Sequence, residues 1–186
     1  YKVPEGWVWT RLGEAIYLEM GQSPDSQSYN QSNDGIPFFQ GKTDFGDVSP
    51  TSRYWCTKPT KLAYVDDILL SVRAPVGPTN IANTNCCIGR GLAALRPLAK
   101  VTPKFINYLM INFRQTLESK ATGTTFVAVS KGDIENLNIP FPPLAEQKRI
   151  VSKIDELMAL CDKLEKQIDI AKNKQTALFD AVLAAV

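Results

Sequence analysis

The sequence predicts an α+β protein: a mixed-sheet domain over residues 1–143, followed by one long coiled-coil-type helix over residues 144–186. Two observations carry this reading. Short apolar and β-branched runs punctuated by turns fill the first part, and all twelve prolines and all eleven glycines lie at or before Pro143. Beyond Pro143 the apolar residues fall into an unbroken helical period.

The elements follow in order. Trp7-Val8-Trp9-Thr10-Arg11-Leu12 alternates like a strand entering a core. Ile36 to Gln40 reads as a short strand leading into a polar loop, Gly41 to Thr60. Asp67 to Arg73 is a firm strand, with Thr79 to Ala82 and Leu92 to Leu95 as its expected partners. Thr102-Pro103 is a helix start, cap followed by proline. The helix is expected near Lys104 to Ser119, with Phe105, Tyr108, Leu109, Asn112 and Leu117 on one side. Thr124 to Val129 is rich in β-branched residues and reads as a strand. A short turn or helix begins at Ser130, and Leu137 to Phe141 returns as a strand.

Phe141-Pro142-Pro143 marks the boundary, because proline resists helix before it and suits the first turn of the helix after it. In the tail, Ile150, Ile154, Leu157, Cys161, Leu164, Ile168, Ala171, Gln175, Leu178, Val182 and Ala185 are spaced by alternate steps of four and three. Such spacing over five heptads is a coiled-coil seam. As one helix the tail reaches roughly 60 Å at 1.5 Å per residue. Val151, Met158, Leu160 and Phe179 widen the stripe, and Gln175 is a polar seam residue suited to setting register. Alone, this helix exposes a long apolar surface, so it requires a partner helix.

Several function classes are excluded or weakened. The chain has no histidine, which removes the usual general base and histidine-dependent triads. Its cysteines, Cys56, Cys86, Cys87 and Cys161, show no CxxC spacing, so no metal site is expected, and free thiols in a reducing cytoplasm are. There is no phosphate-binding loop of the GxxxxGK[ST] type, and no cofactor is expected. Asp44-Phe45-Gly46 spells a kinase tripeptide without the glycine-rich loop that should accompany it, and reads as coincidence. Asn138-Ile139-Pro140-Phe141 only distantly resembles an amino-methyltransferase motif. Asp66-Asp67 reads as a solvated turn rather than an acid–base pair. No run of 18 apolar residues occurs, so no membrane span is expected. Position 1 is Tyr rather than Met, so the start was trimmed or the chain is a piece of a longer polypeptide.

The net charge of +2 is unevenly placed. Residues 1–67 carry six basic and nine acidic side chains, whereas residues 68–132 carry eight basic side chains against Glu118 alone. A balance of +7 in the middle is the footprint expected of phosphate contacts.

At this point the residues resemble a known family. Ala121-Thr122-Gly123-Thr124-Thr125, Asp133-Ile134, Leu137-Asn138-Ile139-Pro140 and Pro142-Pro143-Leu144-Ala145-Glu146-Gln147-Lys148-Arg149-Ile150-Val151 together resemble the type I restriction–modification specificity subunit. The opening Pro4-Glu5-Gly6-Trp7, the Asp67-Ile68-Leu69 strand and Ile88-Gly89-Arg90-Gly91 fit as well. Asp155-Glu156-Leu157-Met158 and Cys161-Asp162-Lys163-Leu164-Glu165 resemble the family's helical spacer.

The resemblance implies two target recognition domains separated by two long helices packed antiparallel. Each domain reads half of a bipartite site in double-stranded DNA. The helices bind methyltransferase (modification) subunits, and through them the restriction and translocase subunit. This chain has one domain and one helix, so it is either half of such a subunit or a half-subunit that pairs with a second copy. The implied role is non-catalytic, cytoplasmic and without cofactor.

The candidate DNA-binding residues are Gln40, Lys42, Arg53, Tyr54, Lys58, Arg73, Asn85, Arg90, Thr124, Thr125 and Lys131. Gln40 and Asn85 are suited to adenine, arginine to guanine, and Lys42 and Lys58 to phosphate. Two other readings stay open: the recognition part of a fused methyltransferase, and a coiled-coil adaptor whose head binds protein.

Overall fold

The structure is a computed structural model that describes residues 2–121 and 128–183, with backbone alone for Leu178 and residues 181–183. It divides into two units, Tyr1–Gln147 and Lys148–Val186.

The first unit is built on two sheets. One has four strands in the order β2 (Ile16–Met20), β10 (Leu92–Pro97), β7 (Ile68–Ser71), β8 (Thr79–Ile81). The other has five, in the order β3 (Tyr29–Asn30), β5 (Tyr54–Cys56), β4 (Ile36–Phe39), β9 (Cys86–Ile88), β6 (Leu62–Ala63). Phe39, Ala63, Leu69, Cys86, Ile88, Leu92 and Ala94 come from both sheets and form one buried cluster. Strand β7 is an unbroken apolar run because it is covered on both faces. Its residues Ile68, Leu69 and Leu70 are fully buried. As the sequence predicts, β8 and β10 are its neighbours, Leu70 lying opposite Thr79 and Ala93.

Helix α2 (Pro103–Asn112) packs on β7, β8 and β10. It starts where Thr102-Pro103 predicts, although the Thr102 side chain makes no capping bond. The expected single helix is instead two. The chain leaves helical geometry at Phe113 (φ −81°, ψ 2°) and resumes as α3 (Arg114–Lys120). The buried line is also shifted: Phe105, Ile106, Met110 and Leu117 face the core, while Asn112 is exposed.

Three other expectations are corrected. Strand β1 (Val8–Arg11) does form, but among the described residues it pairs only with β11 (Asn138–Phe141), and Val8 and Trp9 are exposed. The core begins one residue later, at Leu12, which opens the single-turn helix α1 (Leu12–Ala15). The loop after β4 is not unstructured, since it holds a 3-10 turn at Lys42–Asp44 and strand β5. Asp67 is no solvated turn residue: buried at 1% exposure, it holds Arg96 through contacts of 3.1 and 2.9 Å and accepts the Tyr64 N–H at 2.8 Å.

The strand expected over Thr124 to Val129 lies largely outside the described residues, but Ala128 bridges Arg73. Beyond it, Ser130 and Asp133 form a reciprocal cap on helix α4 (Lys131–Glu135). The Asp133 carboxyl sits below its ordinary range because Ser130 donates to it from both hydroxyl and backbone.

The cysteines are free, with Cys56, Cys86 and Cys87 buried and Cys161 exposed. Burial pushes the Cys86 thiol up to about 12, so at neutral pH no thiolate is presented there. The native chain should therefore take up one equivalent of a thiol reagent, at Cys161, and the rest only after denaturation. Rapid uptake of all four by native protein would contradict the two-sheet core.

The second unit belongs to helix α5 (Leu144–Leu183), forty residues in one element. Its first turn lies in the domain, where buried Gln147 accepts the Thr102 N–H at 3.3 Å and donates to the Pro142 carbonyl at 3.0 Å. Along the seam Ile150 and Ile154 are half-buried, while Leu157, Cys161, Leu164, Ile168, Ala171 and Gln175 are exposed. Nothing is described of the Leu178 and Val182 side chains. Among the described residues no helix is long and apolar enough to cross a membrane.

Candidate nucleic-acid interface

Strand β4 ends at Phe39, and the next residues turn outward. Gln40 is exposed, and the following 3-10 turn presents Lys42 and Thr43. Strand β7 ends at Ser71, whose hydroxyl donates to the carbonyls of Arg73 (3.1 Å) and Pro75 (2.9 Å) and shapes the turn carrying Arg73. Between β9 and β10 the chain reverses through Gly89-Arg90-Gly91. These three segments, with Ser23, line a groove of 340 Å³.

Glycine is required where two of them meet. A Cβ on Gly91 would lie 2.3 Å from the Gln40 carbonyl oxygen, and one on Gly89 would lie 3.2 Å from the Gln40 Cα. The bare backbone lets the Arg90 turn rest directly on Gln40. Gly91 also accepts the Val72 N–H at 3.0 Å, which ties the same turn to the end of β7. Sequence order thus hides a three-way junction that puts Gln40, Arg73 and Arg90 around one opening.

The groove is lined by Lys42, Arg73 and Arg90 and by no carboxylate. Several cations elsewhere are neutralised at close range: Lys61 by Glu19, Arg96 by Asp67, Arg114 by Glu118, Lys131 by Glu135 and Lys153 by Glu156. Lys42, Arg73 and Arg90 have no such partner among the described residues. Three unneutralised cations beside an exposed amide make a surface suited to an anion, and the amide carries the donor and acceptor pair needed at a base edge. A larger depression of 560 Å³ has Tyr64, Asp67 and Arg96 in its wall, but its arginine already holds Asp67 and lies 4.3 Å from the Tyr64 ring.

The remaining candidates lie elsewhere. Arg53 turns onto Asp44, both its Nε (3.1 Å) and Nη2 (2.5 Å) donating to one carboxylate oxygen. That hydrogen-bonded carboxylate holds the guanidinium even further above neutrality than usual. Tyr54 packs edge-on against Tyr29, 6.0 Å between rings, beside the small Phe38–Cys56–Cys87 cluster. Asn85 accepts the Val65 N–H at 3.1 Å, tying two turns together. Lys58 is exposed but outside the groove, and Lys131 pairs with Glu135 at 3.4 Å on α4. Thr124 and Thr125 lie outside the described residues.

Ser23, Thr43, Asp44 and Asn80 belong to this region and are not visible as site residues in the sequence. Ser23 accepts the Arg90 N–H at 3.4 Å. Asp44 was part of a tripeptide that reads as coincidence, and its role is local: buried, it binds the loop that contains it. Among the described residues no cluster of three metal-ligating side chains occurs.

The chain belongs to the family described as the type I restriction modification DNA specificity domain, whose model matches residues 4–171. A putative type I restriction enzyme specificity subunit, MjaX of Methanocaldococcus jannaschii, is 42% identical over 179 residues, 93% of this chain and 42% of that protein. The EcoAI specificity subunit of Escherichia coli is 26% identical over 204 residues, 100% of this chain and 34% of that one. Among solved structures, the HsdS subunit from Thermoanaerobacter tengcongensis is similar at 47% identity and a TM-score of 0.82, over 89% of this chain and 40% of that chain. The S subunit from M. genitalium shares the fold, with a TM-score of 0.65 at 20% identity over 91% of this chain and 44% of that one. The chain spans less than half the length of the curated relatives it matches.

Proposed function

We propose that this chain is a non-catalytic DNA-reading half of a type I specificity subunit. Its domain, residues 1–143 with the first turn of α5, reads one part of a bipartite duplex site through the Gln40–Arg73–Arg90 groove. Helix α5 pairs through its 4-3 seam with an equivalent helix, from a second copy or a second half. Through that pairing it holds methyltransferase subunits, and through them the restriction and translocase subunit, on DNA in the cytoplasm. A paired second copy would put two identical readers about a two-fold axis, favouring a symmetric site.

The observation that carries this reading is the groove itself: three cations without counter-charge around one exposed amide. The test is duplex binding as a function of salt. Each phosphate contact should contribute about −0.9 to the slope of the logarithm of affinity against the logarithm of salt. Fluorescence anisotropy on a labelled random-sequence duplex between 50 and 200 mM salt measures it. Absence of binding at the low-salt end would point to a head that binds protein instead.

A further inference from the structure

The loop after β4 is pinned from its inner side by two buried polar groups, while its outer side faces the groove. Asp44, 4% exposed, directs one carboxylate oxygen at the N–H groups of Gln40 (2.7 Å) and Gly41 (3.4 Å). The other oxygen takes both contacts from Arg53. Two residues on, the amide of buried Asn80 accepts the Gly46 N–H at 3.1 Å and donates to the Gly46 carbonyl at 3.0 Å. The Thr51 N–H closes the loop onto the Asp44 carbonyl at 2.8 Å.

A carboxylate this buried is tolerated only when its oxygens are filled and its charge is matched. Arg53 supplies the matching charge from a side chain 54% exposed. The clamp therefore fixes the backbone at the residue whose side chain borders the opening, and Gly91 lies so close to that residue's carbonyl that a Cβ there would come within 2.3 Å of its oxygen. Between them, Gln40 has little freedom to move.

Resting on the DNA-reading role above, we infer that Asp44 and Arg53 are positioning residues for base discrimination. They hold the Gln40–Thr43 segment in register with Arg73 and Arg90, and Arg53 acts on DNA only through that segment. A site reads a base reliably when its reading groups are locked by a supporting shell rather than left on a free loop. The reading separates two roles that an exposed arginine near DNA can have. A phosphate contact contributes to the salt slope and leaves base preference alone; a positioning contact does the reverse.

The experiment uses the full chain with Arg53→Gln and, as a second variant, Asp44→Asn; either one that keeps the wild-type melting transition decides. Three readouts are taken: amide hydrogen exchange at Gln40 and Gly41, the motif selected from a randomised duplex library, and the salt slope on random duplex. In Arg53→Gln, exchange at the two amides should quicken by roughly tenfold. The selected motif should blur, while the salt slope stays within error of wild type. Arg53→Lys keeps the cation beside Asp44 and should recover most of the motif.

A motif left sharp while the slope drops by about one would make Arg53 a phosphate contact and overturn the inference. Unchanged exchange would overturn it too. A wild-type chain that selects no motif, yet still shows faster exchange in Arg53→Gln, would defeat the DNA-reading role and this inference with it. That pattern differs from failure of the clamp alone.

Discussion

Aspartate at both Leu164 and Ile168 is expected to abolish pairing through α5 without unfolding the domain. The two side chains are 49% and 52% exposed, four residues apart on the 4-3 seam. Full burial of such a side chain contributes about 1.5–3 kcal/mol relative to exposure. Losing two, and forcing two carboxylates into an apolar interface, should weaken pairing by roughly a thousandfold or more, since 1.4 kcal/mol is a factor of ten. In a two-fold assembly each change is felt twice. Light scattering on the chain alone should show twice the monomer mass for wild type and a single mass for the double variant. The thiol of Cys161, also on the seam and exposed in the single chain, should become more reactive as pairing is lost. Lys166→Ala, off the seam, should leave the mass unchanged. A double variant that keeps the paired mass, and still assembles with methyltransferase subunits, would show that α5 pairs through another face.

The parts of this protein legible in the sequence are those whose cause is local. The seam of α5 is a periodicity, β7 is a continuous apolar run, and the α2 start is a dipeptide, Thr102-Pro103. What the sequence conceals depends on residues brought together from afar. β4 pairs in parallel with β9, setting Phe38 opposite Cys87 across a wide gap in the chain. That crossover is what lays Gly89-Arg90-Gly91 over Gln40. Charge and loop position single out Gln40, Lys42, Arg73 and Arg90, which do meet in one groove. The same criteria single out Arg53, Tyr54 and Asn85, which the fold uses internally. No local pattern distinguishes an arginine facing solvent from one whose carboxylate lies nine residues away. The break at Phe113 is hidden for a related reason, since the run on either side has ordinary helical composition.

The groove yields the other large effect. If Arg73 and Arg90 make paired hydrogen bonds to guanine, replacing either with alanine should cost about 1–3 kcal/mol at its own base pair, roughly five- to 150-fold in affinity. The loss should be confined to duplexes carrying the preferred base, so the selected motif relaxes at one position and the others stay sharp. Lysine should not restore it, because a point charge lacks the planar fork that matches two acceptors on one base. Lys42→Ala should behave differently, weakening all duplexes alike and reducing the salt slope by about 0.9. Gly91→Ala completes the set. Its new methyl group would sit 2.3 Å from the Gln40 carbonyl oxygen, backbone against backbone. The turn must therefore move, displacing Arg90 and Gln40 together and blurring two positions of the motif where Arg90→Ala blurs one. Competition binding across all single-base variants of the selected duplex separates these outcomes. An Arg90→Ala chain with full discrimination would remove that side chain from base reading, and a Gly91→Ala chain with the wild-type motif would show that the three-way junction does not set it.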